Sequence, residues 1–170
     1  MPQLPFEAPD IVLLQRSHDR ASFDCGEPSL NSYLQRYARQ NAESGFGLTY
    51  VAVPPSEPTR ILGYYTLSAS RIERDLLPSS LKLPPYPVPA LLLARLAIDK
   101  QAQGFGLGAR LMEEVLERAY ALSGEVGVWA IEVEALNDKA AAFYARYGFL
   151  SLQDSPHHLF LPLQIKQSQS

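Results

Sequence analysis

Apolar residues recur along this chain either at helical spacing or in continuous runs, and prolines and glycines separate the stretches. Residues 11–16 (IVLLQR) read as a first strand. Gly26-Glu27-Pro28 then opens a helix, with Pro28 suited to a first turn where its missing N–H costs nothing. Leu30, Tyr33, Leu34, Tyr37, Ala38 and Asn41 follow at intervals of three and four, which places them on one face and turns Gln35, Arg36 and Arg39 outward. Residues 47–53 (GLTYVAV) and 60–69 (RILGYYTLSA) are rich in β-branched and aromatic residues. They flank a proline-rich turn, which predicts an antiparallel hairpin.

Five prolines interrupt the leucine-rich stretch 76–89, allowing a short helical turn and an extended surface loop but no long element. Residues 90–98 (ALLLARLAI) have the apolar run of a strand covered on both faces, and a glycine-rich loop follows at once. Leu107, Leu111, Val115, Ala119 and Leu122 make a helical stripe that stops near Ser123-Gly124. A second buried strand is predicted over 126–133, a helix over 138–147 ended by Gly148, and two closing strands over 149–153 and 158–163. The order β-α-β-β-(α)-β-α-β-α-β-β is that of an α/β protein, a mixed sheet with helices packed on it.

At 170 residues the chain suits one domain spanning 1–170, with its core at about 11–163 and a polar tail, 164–170, expected to fray. No stretch approaches the roughly 20 apolar residues of a membrane span. The start, MPQLPFEAPD, has neither the basic residues nor the apolar run of a signal peptide, so a cytoplasmic protein is expected. Cys25 is the only cysteine, which rules out an internal disulfide. The three histidines show no metal-ligand spacing, so no metal is expected. Net charge is −3, yet residues 1–100 carry ten groups of each sign. Within them Arg36, Arg39, Arg71 and Arg95 are candidate contacts to a polyanion, against the plainer reading of solvated surface charge.

The candidate chemistry lies in two places. A strand ending at Ile98, a turn with Gly104, Gly106 and Gly108, and a helix starting near Leu107 gather free N–H groups and a positive helix end around one point. Such a loop is either an anion cradle or only a tight connection. It lacks the Gly-Lys-Ser/Thr of a nucleotide P-loop. Asn137 and Tyr144 sit seven residues apart on one helix, projecting from the same side about 10 Å apart along its axis. A tyrosine hydroxyl suits protonation of a departing thiolate, so Tyr144 is the candidate general acid; its plainer role is a core aromatic. Asn137 is open between a ligand contact and an N-cap. Tyr147 is assigned to packing or substrate contact. Glu132 or Glu134 could draw a proton through water, and Cys25 reads as a small buried residue rather than a nucleophile.

The motifs QGFGLG (Gln103 to Gly108) and EALNDKAAAFYARYGF (Glu134 to Phe149) resemble those of the GCN5-related N-acetyltransferases, the GNAT family. The resemblance implies the GNAT fold, acetyl-CoA as acetyl donor, and direct transfer to an amine without a covalent enzyme intermediate. It implies that the amides of Gln103, Gly104, Phe105, Gly106, Leu107 and Gly108 hold the pyrophosphate. Leu96, Ala97 and Ile98 would pair their backbone with the pantetheine arm where a bulge splays the strand, Asn137 would touch the cofactor, and Tyr144 would be the general acid. The opening FDCGEPSLNSYLQRYARQN (Phe23 to Asn41) is similar to the GNAT toxins of bacterial toxin–antitoxin pairs. That likeness implies aminoacyl-tRNA as acceptor, a small cognate antitoxin and a homodimer. A small-molecule, peptide or protein amine, or a non-catalytic acyl-CoA-binding module, are the alternatives.

Overall fold

The computed structural model describes residues 7–163, so the polar tail lies outside the described residues. The strands are β1 (Asp10–Leu13), β2 (Leu48–Val53), β3 (Gly63–Ile72), β4 (Val88–Ile98), β5 (Ala130–Glu134), β6 (Leu150–Leu152) and β7 (Ser155–Pro162). The helices are α1 (Pro28–Ser32), α2 (Ala38–Glu43), α3 (Leu107–Ser123) and α4 (Asp138–Ala145). Strand order in the seven-stranded sheet is β1-β2-β3-β4-β5-β7-β6, with β4 and β5 parallel and β1–β2, β2–β3, β5–β7 and β6–β7 antiparallel. The element order is the one the apolar pattern predicts. The chain divides into two compact units, Met1–Ser68 with Ala94–Val115 and Ala69–Leu93 with Leu116–Ser170, and β3, β4 and α3 pass from one into the other.

In the first unit, Phe23, Tyr33, Leu34, Ala38, Val51, Val53, Ile61, Tyr64 and Ala97 form a buried cluster beneath the α1–α2 segment. The hairpin is pinned by the register pair Thr49–Thr66, whose buried hydroxyls bond at 2.7 Å, a cross-strand contact that satisfies both groups. Gly63 is needed for close approach: a Cβ there would stand 2.9 Å from Ile98 Cδ1 and 3.1 Å from the Ala97 carbonyl. The predicted helix 28–41 is not uniform. Between α1 and α2 lies a π-helical turn, Tyr33–Tyr37, closed by the Ala38 N–H on the Tyr33 carbonyl, while Arg20 donates to the Gln35 carbonyl at 3.1 Å. The extra residue breaks the three-four periodicity, so Tyr37 leaves the apolar face and is 50% exposed.

The second unit has its own cluster of Ile72, Leu77, Val88, Ala90, Ala130, Leu152 and Phe160. Leu76, Leu81 and Leu83 pack against it, so the 76–89 segment is more than the surface loop its prolines suggest; its leucines cover part of the core. Strand β5 starts four residues later than the predicted 126, because the N–H groups of Gly124, Glu125 and Val126 turn back onto Ala121 and Leu122. The α3 stripe behaves as predicted at Leu107, Leu111, Val115 and Ala119, all buried.

Candidate active site

In the first unit, β4 ends at Ile98, a 3-10 turn (Lys100–Ala102) follows, and residues 103–106 lead into α3. Gly104 (φ 87°) and Gly106 (φ 85°) both take the left-handed conformation that a side chain resists, so two of the three glycines are there for the backbone path. The N–H groups of Gly104, Phe105 and Gly106 make no hydrogen bond to another described residue, and those of Leu107 and Gly108 belong to the open first turn of α3. The Gln103 N–H instead meets the Lys100 carbonyl at 3.4 Å. A Cβ built on Gly104 would meet nothing within 4 Å, so the space before these donors is open.

The loop is braced by the segment that opens α1. Gln103 Nε2 donates to the Ile98 carbonyl (2.8 Å) and to the Cys25 carbonyl (3.0 Å). The Asp24 N–H meets Asp99 Oδ2 at 3.0 Å, the Lys100 N–H meets the Asp24 carbonyl at 2.8 Å, and Lys100 Nζ pairs with Asp24 Oδ2 at 3.4 Å. Asp24 Oδ1 also accepts from Asn31 and from the Gly26 N–H, and these bonds, with Lys100 alongside, hold its carboxyl below the ordinary value. Cys25 is half-buried and burial pushes its thiol up, so its surroundings are those of a packing residue. Residues Leu96, Ala97 and Ile98 lie in the last part of β4, with Ala97 buried; the β4–β5 ladder ends before them, at Leu93–Val133.

In the second unit, Asn137 is the N-cap of α4, accepting the Ala140 N–H at 2.9 Å, the local role its position predicts. Tyr144 lies at the other end of the helix, 6% exposed, with Phe143 at 5.2 Å edge-on and Phe149 at 5.6 Å between ring centroids. Burial raises its pKa, so the hydroxyl stays protonated at neutral pH. That hydroxyl bonds no described residue, and it is not enclosed: the only fully buried unpartnered side-chain polar atom among the described residues is Arg20 Nε. A protonated phenol with an open hydroxyl can donate a proton. Glu134 is exposed. Glu132 is occupied, with Oε1 accepting from Ser70 Oγ (2.8 Å) and Oε2 against His158 Nε2 (2.5 Å). Asp154 meets the other ring nitrogen of His158 at 2.9 Å. Burial disfavours the charged ring, but the bonds and charges of Glu132 and Asp154 outweigh it and raise the His158 pKa. This Ser70–Glu132–His158–Asp154 chain joins residues up to 88 positions apart, and no spacing in the sequence announces it.

The four arginines do not form one group within a unit. Arg36 and Arg39 lie on the π-helical turn and α2, Arg95 on β4 and, in the second unit, Arg71 on β3. Arg39 pairs with Glu43 at 3.3 Å and Arg71 with Glu73 at 3.4 Å. Arg95 lies over the Tyr33 ring, 3.9 Å from its centroid.

A family model for the acetyltransferase (GNAT) domain matches residues 48–150. The chain belongs to that family. It is 36% identical over 144 residues to the tRNA-acetylating toxin of Mycobacterium tuberculosis (strain ATCC 25618 / H37Rv), covering 84% of this chain and 85% of that protein. Among solved structures, it is similar to AtaT complexed with acetyl-methionyl-tRNAfMet (TM-score 0.84, 35% identity, 91% of this chain and 94% of that one). It is also similar to a mutant AtaT toxin bound to the C-terminus of the antitoxin AtaR and acetyl-CoA (TM-score 0.79, 31% identity, 92% and 94%). As a GNAT acetyltransferase the chain is an acetyl-CoA-dependent N-acetyltransferase. Its loop fits the donor: open amides, two left-handed glycines and free space above Gly104 suit a diphosphate. Among the described residues no helix is long and apolar enough to cross a membrane.

Proposed function

We propose that this GNAT acetyltransferase acetylates the α-amine of aminoacyl-tRNA in the cytoplasm, acting as a translation-blocking toxin with a small cognate antitoxin. The observation that carries this reading is the 36% identity to a tRNA-acetylating toxin over 84% of the chain. The AtaT structures, one with acetyl-methionyl-tRNAfMet and one with an antitoxin segment, support it. The reading treats the chain as one GNAT domain and takes a homodimer as its working form.

Acetyl-CoA supplies the acetyl group as a thioester. The free amides of residues 104–108 hold its pyrophosphate, Gln103 holds the loop, and the backbone of Leu96, Ala97 and Ile98 lines the pantetheine arm. A backbone N–H of β4 polarises the carbonyl. Tyr144 gives its phenolic proton to the departing sulfur; its burial and unbonded hydroxyl support that role. Asn137 keeps its side-chain N–H₂ for the cofactor while its oxygen caps α4. Glu132, with both oxygens engaged, orients neighbouring groups rather than taking a proton through water. An aminoacyl ester amine has a lowered pKa and needs no strong base. Arg36, Arg39, Arg71 and Arg95 meet phosphates of the acceptor.

Incubation with acetyl-CoA and charged tRNA is expected to give N-acetylaminoacyl-tRNA, read by mass spectrometry of the released amino acid. No product with any of the charged tRNAs overturns the reading. Expression in a bacterial host is expected to arrest growth.

A further inference from the structure

The surface formed by the π-helical turn and β4 carries a feature that the proposed reaction leaves unused. Tyr37 is half exposed because the π-helical turn takes it out of the apolar stripe that Leu34 and Ala38 keep. Its ring centroid lies 6.5 Å from that of Tyr33, tilted by 34°. Tyr33 is itself buried, with its hydroxyl held by Asn41 Nδ2 at 3.2 Å, and Arg95 covers its ring. A fixed ring therefore links an exposed ring to a half-buried guanidinium. Neither Arg95 nor Arg36 has an acidic partner among the described residues, whereas Arg39 is paired with Glu43.

An accessible aromatic face on a segment that also carries two guanidinium groups without acidic partners, Arg36 next to it in sequence and Arg95 over the Tyr33 ring, has the chemistry that binds unpaired nucleotides: the ring stacks on a base of any identity and the cations meet adjoining phosphates. A duplex would offer phosphates to the arginines but no free base face to Tyr37. We propose that Tyr37 is the stacking platform for a base of the single-stranded 3′ end of the charged acceptor, with Arg95 and Arg36 on the neighbouring phosphates. This rests on the aminoacyl-tRNA reading above. It adds a subsite that reads single-strandedness rather than sequence, and it places the π-helical turn in substrate binding.

The test is steady-state acetylation of charged tRNA by wild type, Tyr37→Ala, Tyr37→Phe and Arg36→Gln over a range of salt. Tyr37→Ala is expected to raise KM for charged tRNA about 5- to 160-fold, the range expected for one lost stacking contact. Tyr37→Phe, which keeps the ring, is expected to stay within about twofold of wild type, and KM for acetyl-CoA and the melting temperature are expected to hold in both. Because stacking carries no charge, Tyr37→Ala should leave the salt slope of KM unchanged, while Arg36→Gln should lower it by about one. A wild type that acetylates charged tRNA while Tyr37→Ala matches it overturns this inference alone. A wild type inert on charged tRNA overturns the substrate reading and this inference with it.

Discussion

The loop 103–108 and helix α4 hold the groups proposed to act on acetyl-CoA by different means. In the loop the working groups are backbone amides, and polar bonds fix them: Gln103 to Cys25 and Ile98, Asp24 to Lys100 and the Asp99 side chain. In α4 the proposed working group is one hydroxyl, and apolar contact with Phe143 and Phe149 fixes the ring that bears it. The difference follows from what each must do. Amides can meet an anion only while their carbonyl neighbours are held elsewhere, which needs directional bonds. A phenol must keep its proton until a thiolate appears, and burial raises its pKa without occupying the oxygen. A substitution should therefore damage donor binding in the first region and the proton-transfer step in the second.

Tyr144→Phe is the sharpest separation of the two. It keeps the ring packing and removes the proton, so kcat is expected to fall about 100- to 10,000-fold with KM for acetyl-CoA and thermal stability nearly unchanged, and growth arrest on expression is expected to disappear. A large rise in KM instead would mean that Tyr144 holds the donor. Next come the loop variants. Gly104→Ala has room for its methyl group, so it isolates the conformational strain, about 1–2 kcal/mol, and should weaken acetyl-CoA about tenfold by calorimetry while kcat at saturation holds. Gln103→Ala removes two bonds at a solvent-exposed site and should cost about fivefold in the same measurement. Equal effects on kcat would erase the distinction between the regions.

The smallest expected effect concerns the second unit's polar chain. Its His158 has a folded pKa above 6.5, so the stability it contributes is fully present below pH 6.5 and is lost as pH rises through the folded value. The urea midpoint of wild type is expected to fall across that window, and His158→Gln should remove this part of the pH dependence. A variant that keeps the full slope would assign it to other groups.

Most elements and both candidate motifs were legible in the sequence because each is encoded locally. β-Branched and aromatic enrichment around a proline-rich turn marked the β2–β3 hairpin and helical apolar spacing marked α3, while glycines beside Gln103 and the Asn137-Asp138 cap marked the loop and α4. What the spacing did not carry depends on partners far along the chain. Tyr37 left its stripe because the π-helical turn shifts the helix phase, and the helical repeat alone cannot signal that. Leu77 and Leu81 lie among prolines, yet they find a hydrophobic face provided by Ile72, Ala90 and Phe160. Glu132 read as one of two carboxylates able to draw a proton through water, but Ser70 and His158 arrive from β3 and β7 to occupy it. Gln103 is the intermediate case: its motif was visible, while its role as the brace depended on Cys25, 78 positions upstream.

That brace bears on the order of events during folding. Its bonds close chain loops of 75 to 78 residues, so they form only after Asp24 and Cys25 have met a strand end synthesised much later, and such non-local closures are slow compared with a helix or a hairpin. The amides of residues 104–108 belong to a turn that is local in sequence but rigid only once that closure is made. A nascent or partly refolded chain can therefore own its helices and hairpin and still lack a donor cradle, and acetyl-CoA binding should be among the last properties to return on refolding.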